Sequence, residues 1–248
     1  MPVHSELHGH GPVVLFTHGY GSSSHMFAAT AAALAADHAV IMWDLRGHGR
    51  SVVPELSAEF TPEHCLDDIT DLLDSAGTER AVLGGHSLGG YLSLAYAQQH
   101  PDRVAGLILV GTGPGFRNED ARARWNEMAE GFAAALEARG LAGFGGSDEL
   151  RTDVHRGGPG GLILAARGIL PQRDSAVIDG LGTITAPALV VVGDRDRPFQ
   201  ASSEYLAVKL SGAGGHLVVI PDCGHAPPVT QPGPFHAAVR TFLADHEW

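Results

Sequence analysis

A serine with glycines two positions before and after it is the part of this sequence best suited to chemistry. The sequence Gly-His-Ser-Leu-Gly-Gly at positions 85–90 follows an apolar, strand-like run and precedes a helical pattern over 88–99. Strand, sharp turn and helix in this order are the context of a nucleophile elbow, whose strained turn lifts the serine hydroxyl clear of a sheet. The pattern predicts that Ser87 is a nucleophile. It also predicts that the Leu88 N–H, at a helix N-terminus, faces a developing oxyanion.

A serine hydroxyl needs two partners before it reacts at neutral pH. A base must take its proton, and a third group must orient that base. Two other loops that follow predicted strands carry these residue types: Asp196 lies in the loop after 188–192, and His225 lies in the loop after 216–220. Because ligands bind at the carboxyl ends of parallel strands, we expect the three side chains to meet at one edge of the sheet. The alternative is that 85–90 forms an ordinary glycine-rich turn, since the chain contains 33 glycines.

The elements that must position these residues alternate between strands and helices. Short runs that are apolar on both faces predict strands at 12–17, 39–43, 80–83, 104–110, 188–192 and 216–220. Helices are predicted at 26–36, 62–76, 88–99, 202–210 and 234–246, with Thr61 as a cap and Pro62 at the first helical position. Such alternation indicates an α/β fold with a parallel sheet covered by helices.

The segment between 111 and 184 has a different character. Helices are predicted at 118–139, 161–170 and 174–181, with glycine-rich sequence between the first two. More than 70 residues between consecutive strands exceed what one crossover needs, although two extra crossover helices are the simpler alternative. We predict a helical cap at 113–183, inserted into a core made of 1–112 and 184–248.

Composition limits the classes of partner. The 248 residues carry a net charge of −12 without a Lys/Arg cluster, which disfavours binding to nucleic acid or to an anionic membrane. Two cysteines and no apparent signal or membrane-spanning run predict a cytoplasmic protein without a disulfide framework. The histidines lack the spacing of a structural metal site, so no metal is expected. The expected partner is a small-molecule substrate, and the chain is expected to be a monomer or a homodimer.

The sequence resembles the α/β-hydrolase-fold enzymes over essentially its whole length. The matching motifs are His18-Gly19-Tyr20-Gly21, Asp44-Leu45-Arg46-Gly47-His48-Gly49-Arg50-Ser51, Gly85-His86-Ser87-Leu88-Gly89-Gly90, Gly193-Asp194-Arg195-Asp196 and Gly224-His225. The resemblance implies about seven mostly parallel strands flanked by helices, with a helical cap after the sixth strand. Most relatives begin with two strands before the His-Gly loop. Only about a dozen residues precede Val13 here, so the first strand could be missing.

The resemblance also implies roles for individual residues. Ser87 would be the nucleophile, His225 the general base and acid, and Asp196 the residue that orients it. The backbone N–H groups of Tyr20 and Leu88 would form the oxyanion hole, and no metal or organic cofactor is implied.

Some of these roles have rivals. Asp194 competes with Asp196, but the family pattern Gly-x-x-Asp favours Asp196. His18 and His86 compete with His225 as the base, and Arg46 is expected to brace its turn rather than touch substrate.

The activity implied is hydrolysis of an ester. We expect a carboxylesterase or lactonase that acts on a small, fairly apolar substrate through an acyl-enzyme. Carbon–carbon bond hydrolysis or a related lyase reaction by the same triad, and a small-molecule receptor that retains the fold, are the alternatives. Five residues could line the pocket, although the pattern favours core packing over pocket lining for each of them. They are Trp125, Met128, Phe132, Phe144 and Phe199.

Overall fold

Strands that are apolar on both faces form the centre of the protein. The computed structural model describes residues 3–53, 57–143, 158–210, 212 and 214–246. Their strands are β1 (Ser5–His8), β2 (Val13–Thr17), β3 (Ala39–Trp43), β4 (Ala81–His86), β5 (Val104–Val110), β6 (Ala188–Gly193) and β7 (His216–Ile220). They form one sheet in the order β1-β3-β2-β4-β5-β6-β7, in which only β1 runs antiparallel to its neighbour. The predicted α/β sheet of about seven strands is confirmed.

The position of the inserted segment agrees with the expectation once the missing first strand is counted. Ser5–His8 is the one strand that precedes Val13 in the described chain, and it pairs with β3 at the edge of the sheet. The insertion follows β5, the fifth described strand, which corresponds to the sixth strand of the family. The first strand of the relatives' two-stranded start has no counterpart in the described residues.

Helices cover both faces of the sheet. They are α1 (Ala28–Leu34), α2 (Pro62–Ser75), α3 (Leu88–Gln99), α4 (Glu119–Arg139), α5 (Gly158–Gly168), α6 (Ala176–Asp179), α7 (Arg197–Lys209), α8 (Pro227–Thr230) and α9 (Pro232–Ala244). Helix α2 begins as predicted, because the Thr61 hydroxyl accepts from the His64 N–H and Pro62 opens the first turn. Helix α7 begins five residues earlier than predicted, since Pro198 fits a first turn and does not break the helix.

Alternate residues of strands β2 to β6 enter two separate cores. Leu15, Leu83 and Leu107 belong to the core on one face, together with side chains of α2 and α3. Phe16, Val82 and Ile108 belong to the core on the other face, which α1 and α9 cover. Because successive strand side chains point to opposite faces, burial on both sides requires nearly continuous apolar runs.

The register of the sheet aligns the carboxyl ends of its central strands. Thr17 at the end of β2 pairs with Gly85, and His86 at the end of β4 pairs with Val110. Gly193 at the end of β6 pairs with Ile220 at the end of β7. The loops that follow these strands therefore share one edge, where parallel sheets bind ligands.

Helices α4 to α6 lie between β5 and β6 along the chain. In helix α5, a Cβ atom on Gly161 would overlap the carbonyl oxygen of Gly47, so the two backbones pack directly together. Arg167 of α5 forms ion pairs with Glu130 and Glu137 of α4, which joins these two helices at the surface.

Candidate active site

Ser87 adopts a backbone conformation that non-glycine residues rarely take. Ser87 lies between the end of β4 and the first turn of α3, with φ of 51° and ψ of −114°. Hydrogen bonds hold it there, because its N–H donates to Val110 O at 2.9 Å and Thr112 Oγ1 donates to its carbonyl at 2.7 Å. A Cβ at Gly85 would overlap Gly89, so the turn needs glycine at both positions.

The same turn leaves a backbone donor at the start of α3. The Gly90 and Tyr91 N–H groups donate to the Ser87 carbonyl at 3.0 and 3.1 Å. The Leu88 N–H precedes them, and the first N–H groups of a helix have no acceptor within the helix. Leu88 N–H is therefore placed beside Ser87 where the helix dipole favours negative charge.

Asp196 and His225 meet at this edge of the sheet. The Oδ2 atom of Asp196 lies 2.8 Å from Nδ1 of His225, and Asp196 is buried. A carboxylate can only accept a hydrogen bond, so Nδ1 carries the proton and Nε2 of the neutral ring is an acceptor. Within the described residues no hydrogen bond joins the Ser87 hydroxyl to the His225 ring. Such bonds often tighten only when substrate binds.

Asp194, the rival of Asp196, is engaged elsewhere. Its Oδ1 accepts from the Cys223 N–H at 3.0 Å, and its own N–H donates to Ile220 O at 2.9 Å. Hydrogen bonds from the backbone of Cys223 and Asp222 lower the pKa of the Asp194 carboxyl. Asp194 thus organises the loop that carries His225, whereas Asp196 contacts the His225 ring.

The other two candidate bases are also engaged. Nε2 of His86 lies 2.8 Å from the carbonyl oxygen of His225, with the two rings 4.6 Å apart. Burial, followed by the nearby His225, lowers the pKa of His86 well below 6.5, so its ring is neutral. The ring of His18 is paired at both nitrogens, with the Gly19 carbonyl at 2.7 Å and the Leu45 N–H at 3.0 Å.

This geometry agrees with comparisons to known proteins. The model of the alpha/beta hydrolase fold family matches residues 12–156. The chain belongs to the α/β-hydrolase fold family. It is 34% identical to a putative carbamate hydrolase of Variovorax paradoxus, with 98% of this chain and 97% of the relative covered. It is 33% identical to a pimeloyl-[acyl-carrier protein] methyl ester esterase of Chromobacterium violaceum, with 97% and 96% covered.

A solved structure shows the same family relationship. The thermophilic esterase from Thermogutta terrifontis superimposes with a TM-score of 0.81 at 32% identity, covering 98% of this chain and 93% of the esterase. The expected α/β-hydrolase architecture is therefore confirmed by both sequence and structure.

In this α/β-hydrolase, the loop that carries Tyr20 is tied to the inserted helices. The Tyr20 hydroxyl donates to Leu162 O of α5 at 3.0 Å, and its ring stacks on Phe132 of α4 at 5.7 Å. Burial raises the pKa of Tyr20, so the hydroxyl keeps its proton. The side chain thereby fixes the loop whose backbone N–H is the second candidate oxyanion donor.

Arg46 braces the turn after β3. Its guanidinium donates two hydrogen bonds to the Asp68 carboxylate, at 2.6 and 2.8 Å, and both side chains are buried. Within the same turn, Asp44 accepts from the N–H groups of Ser24 and Arg50. These contacts agree with the expectation that Arg46 holds its turn.

The five predicted pocket residues have different surroundings. The Trp125 indole N–H donates to Leu170 O at 3.0 Å, and Met128 is 40% exposed. Phe132 contacts Tyr20, and Phe199 stacks on the His225 ring at 4.6 Å. Phe144 lies outside the described residues. Phe132 and Phe199 are thus the two whose rings contact residues of the site.

Among the described residues, no group of three or more His, Cys, Asp and Glu side chains could hold a metal ion. None of the described helices combines the length and apolar character needed to cross a membrane.

Sequence reasoning missed the roles of three residues in this hydrolase. The sequence predicts His86 only as a rival base, and no sequence pattern marks the contacts of the Tyr20 side chain or of Thr112. Each of the three contacts a residue at least 25 positions away. Such contacts leave no local pattern, because they depend on the strand order and on how helices α4 to α6 pack.

Proposed function

We propose that this protein is a serine hydrolase that cleaves a small, fairly apolar carboxylic ester or lactone through an acyl-enzyme intermediate. The observation that carries the proposal is the 2.8 Å contact between Asp196 and His225, at the edge of the sheet where the strained turn presents Ser87. In a catalytic triad, the contact between the acid and the histidine orients the histidine so that it can act as a base.

In the proposed reaction, Ser87 Oγ attacks the carbonyl carbon as Nε2 of His225 takes the hydroxyl proton. The tetrahedral oxyanion accepts hydrogen bonds from the Leu88 and Tyr20 N–H groups, each of which could contribute about 3–4 kcal/mol. His225 then protonates the leaving alcohol as its bond to the carbonyl carbon breaks. His225 then takes a proton from water, which attacks the carbonyl carbon of the acyl-enzyme. As the bond from that carbon to Ser87 Oγ breaks, His225 returns the proton to Oγ and the acid is released.

The surroundings of the site support an apolar acyl group. The rings of Phe132 and Tyr20 stack with their centroids 5.7 Å apart. Phe132 belongs to the predicted cap, residues 113–183, and the cap would select the substrate. The names of the methyl ester esterase and the thermophilic esterase among its relatives support an ester as the scissile group.

A carbamate is the second candidate substrate. The relative named putative carbamate hydrolase is 34% identical and covers 98% of the chain. The same serine can attack a carbamate carbonyl, so the two candidates differ in the substrate and not in the residues that act on it.

Turnover of p-nitrophenyl acetate, p-nitrophenyl butyrate and ethyl carbamate tests the proposal, with ammonia release as the measure for the carbamate. Ser87→Ala should abolish turnover. Ser203→Ala is a matched control, because the Ser203 hydroxyl is buried and makes no hydrogen bond in the described structure. A serine-reactive phosphonate should label Ser87. Ester turnover that persists in Ser87→Ala, or the absence of any turnover in the unmodified protein, would contradict the proposal.

A further inference from the structure

We propose that Phe199 is a positioning residue that acts on the base and not on the substrate. Its ring holds the His225 imidazole in place and stabilises the imidazolium that forms when His225 takes the Ser87 proton. The inference rests on the proposed function and assigns Phe199 a different role from the pocket lining suggested by its aromatic character.

The geometry of the two rings carries the inference. The Phe199 and His225 rings are stacked, with centroids 4.6 Å apart and planes inclined by 22°. Among the described residues, the His225 ring also contacts the Asp196 carboxylate through Nδ1 and the His86 ring, which is tilted by 57°. None of these contacts uses Nε2, the atom that receives the proton.

Phe199 and Asp196 belong to a single turn at the start of α7. The Phe199 N–H donates to the Asp196 carbonyl at 3.0 Å. The Ser202 hydroxyl lies 3.0 Å from the carbonyl oxygens of both Phe199 and Thr112, which ties this turn to the loop after β5. One rigid turn therefore supplies the carboxylate at the edge of the imidazole and the ring at its face.

The charge that develops on His225 explains why an aromatic ring suits this position. The face of a benzene ring is electronegative and attracts a cation stacked on it, more strongly where water is excluded. An aliphatic side chain of similar size would pack against the imidazole without that attraction.

The other titratable groups around His225 do not duplicate this effect. Asp196 comes from the loop before α7, and His86 comes from β4. Burial keeps His86 neutral, so it does not repel the imidazolium. Gly111, after β5, approaches the imidazole without a side chain.

Phe199→Leu tests the role, because leucine keeps the apolar volume and removes the aromatic face. We expect kcat for p-nitrophenyl butyrate to fall about three- to tenfold while KM changes less than twofold. Phe199→Trp should restore kcat to within twofold of the unmodified enzyme. Phe116→Leu is the matched control, since Phe116 contacts the Trp125 ring at 6.0 Å, and it should keep kcat within twofold.

Three outcomes would overturn the inference. The first is an unchanged kcat in Phe199→Leu. The second is a change confined to KM, which would indicate that Phe199 contacts the substrate. The third is a kcat that stays low in Phe199→Trp although circular dichroism shows that this variant is folded.

An NMR measurement separates this inference from the proposed function. The ring protons of His225, assigned by comparison with His225→Gln, should show an upfield ring-current shift that Phe199→Leu removes. This signal does not require turnover. Its absence would overturn the inference alone, whereas a protein that shows the shift but hydrolyses no ester would contradict only the proposed function.

Discussion

The Nε2 atom of His86 donates a 2.8 Å hydrogen bond to the backbone carbonyl of His225. A carbonyl oxygen can only accept, so this contact identifies the proton-bearing nitrogen of His86. His86 is thus a neutral, buried donor that joins the nucleophile turn to the loop of the candidate base.

This contact predicts how stability depends on pH. The pKa of His86 is lowered well below 6.5 by burial, so the unfolded chain binds a proton there more readily than the folded chain does. The free energy of unfolding therefore includes the full contribution of neutral His86 above pH 6.5. That contribution is lost as the pH falls below 6.5, because the unfolded chain then gains a proton that the folded chain does not bind. His86→Gln keeps a donor and removes the titration. Urea unfolding between pH 7 and pH 5 should show a slope smaller by up to about 1.4 kcal/mol per pH unit.

Two other histidines also contribute to the pH dependence of stability. Burial also lowers the pKa of His38 and His236, so a residual slope should remain in His86→Gln. Equal slopes in His86→Gln and the unmodified protein would show that folding does not lower the pKa of His86.

Asp194 and Asp196 offer a matched pair of substitutions for the acid of the triad. Asp196→Asn replaces the carboxylate that contacts the His225 ring, and it should lower kcat for p-nitrophenyl butyrate by roughly 10³–10⁴. Asp194→Asn removes a carboxylate that binds only loop N–H groups, and kcat should stay within about tenfold. The reverse order of effects would assign the orienting role to Asp194.

The buried ion pair between Arg46 and Asp68 should be costly to break on one side only. Asp68→Leu removes both hydrogen bonds of the buried guanidinium to a carboxylate and leaves it the longer, 3.6 Å ion pair with the partly exposed Glu59. We expect the free energy of unfolding to fall by about 3–5 kcal/mol. The double variant Arg46→Met/Asp68→Leu should recover most of that loss in urea titrations. If Asp68→Leu and the double variant both unfold like the unmodified protein, the pair contributes nothing to stability.

Two neighbouring glycines of α5 test how closely the inserted helix packs on the core. A Cβ at Gly161 would overlap the Gly47 carbonyl, so Gly161→Ala should reduce the free energy of unfolding by about 1–3 kcal/mol. A Cβ at Gly160 meets nothing within 4 Å, and Gly160→Ala should be neutral or stabilising by up to about 1 kcal/mol.

The same two variants should differ in activity. Displacement of α5 moves the Leu162 carbonyl that accepts from Tyr20, so Gly161→Ala should also lower kcat/KM. Equal melting temperatures and equal kcat/KM for the two variants would show that α5 does not pack against Gly47.

Local sequence patterns were sufficient to predict most strands and helices and the strained turn of the site, although they did not predict β1 or the start of α7. Apolar runs predicted the parallel strands, the Thr61-Pro62 start of α2 was correct, and helix α3 begins and ends where its pattern placed it. Glycines around Ser87 predicted the strained turn. These features follow from local backbone sterics, helix capping and side-chain periodicity, which act over a few residues.

Which of these groups contact one another became clear from the three-dimensional fold. It brought Asp196, and not Asp194, to His225, it aimed His86 at a carbonyl 139 residues away, and it stacked Phe199 on the imidazole. It also joined Tyr20 to Leu162 of the inserted segment. The physical reason is that such contacts depend on strand order, register and helix packing, and these are set by burial across the whole chain rather than by neighbouring residues.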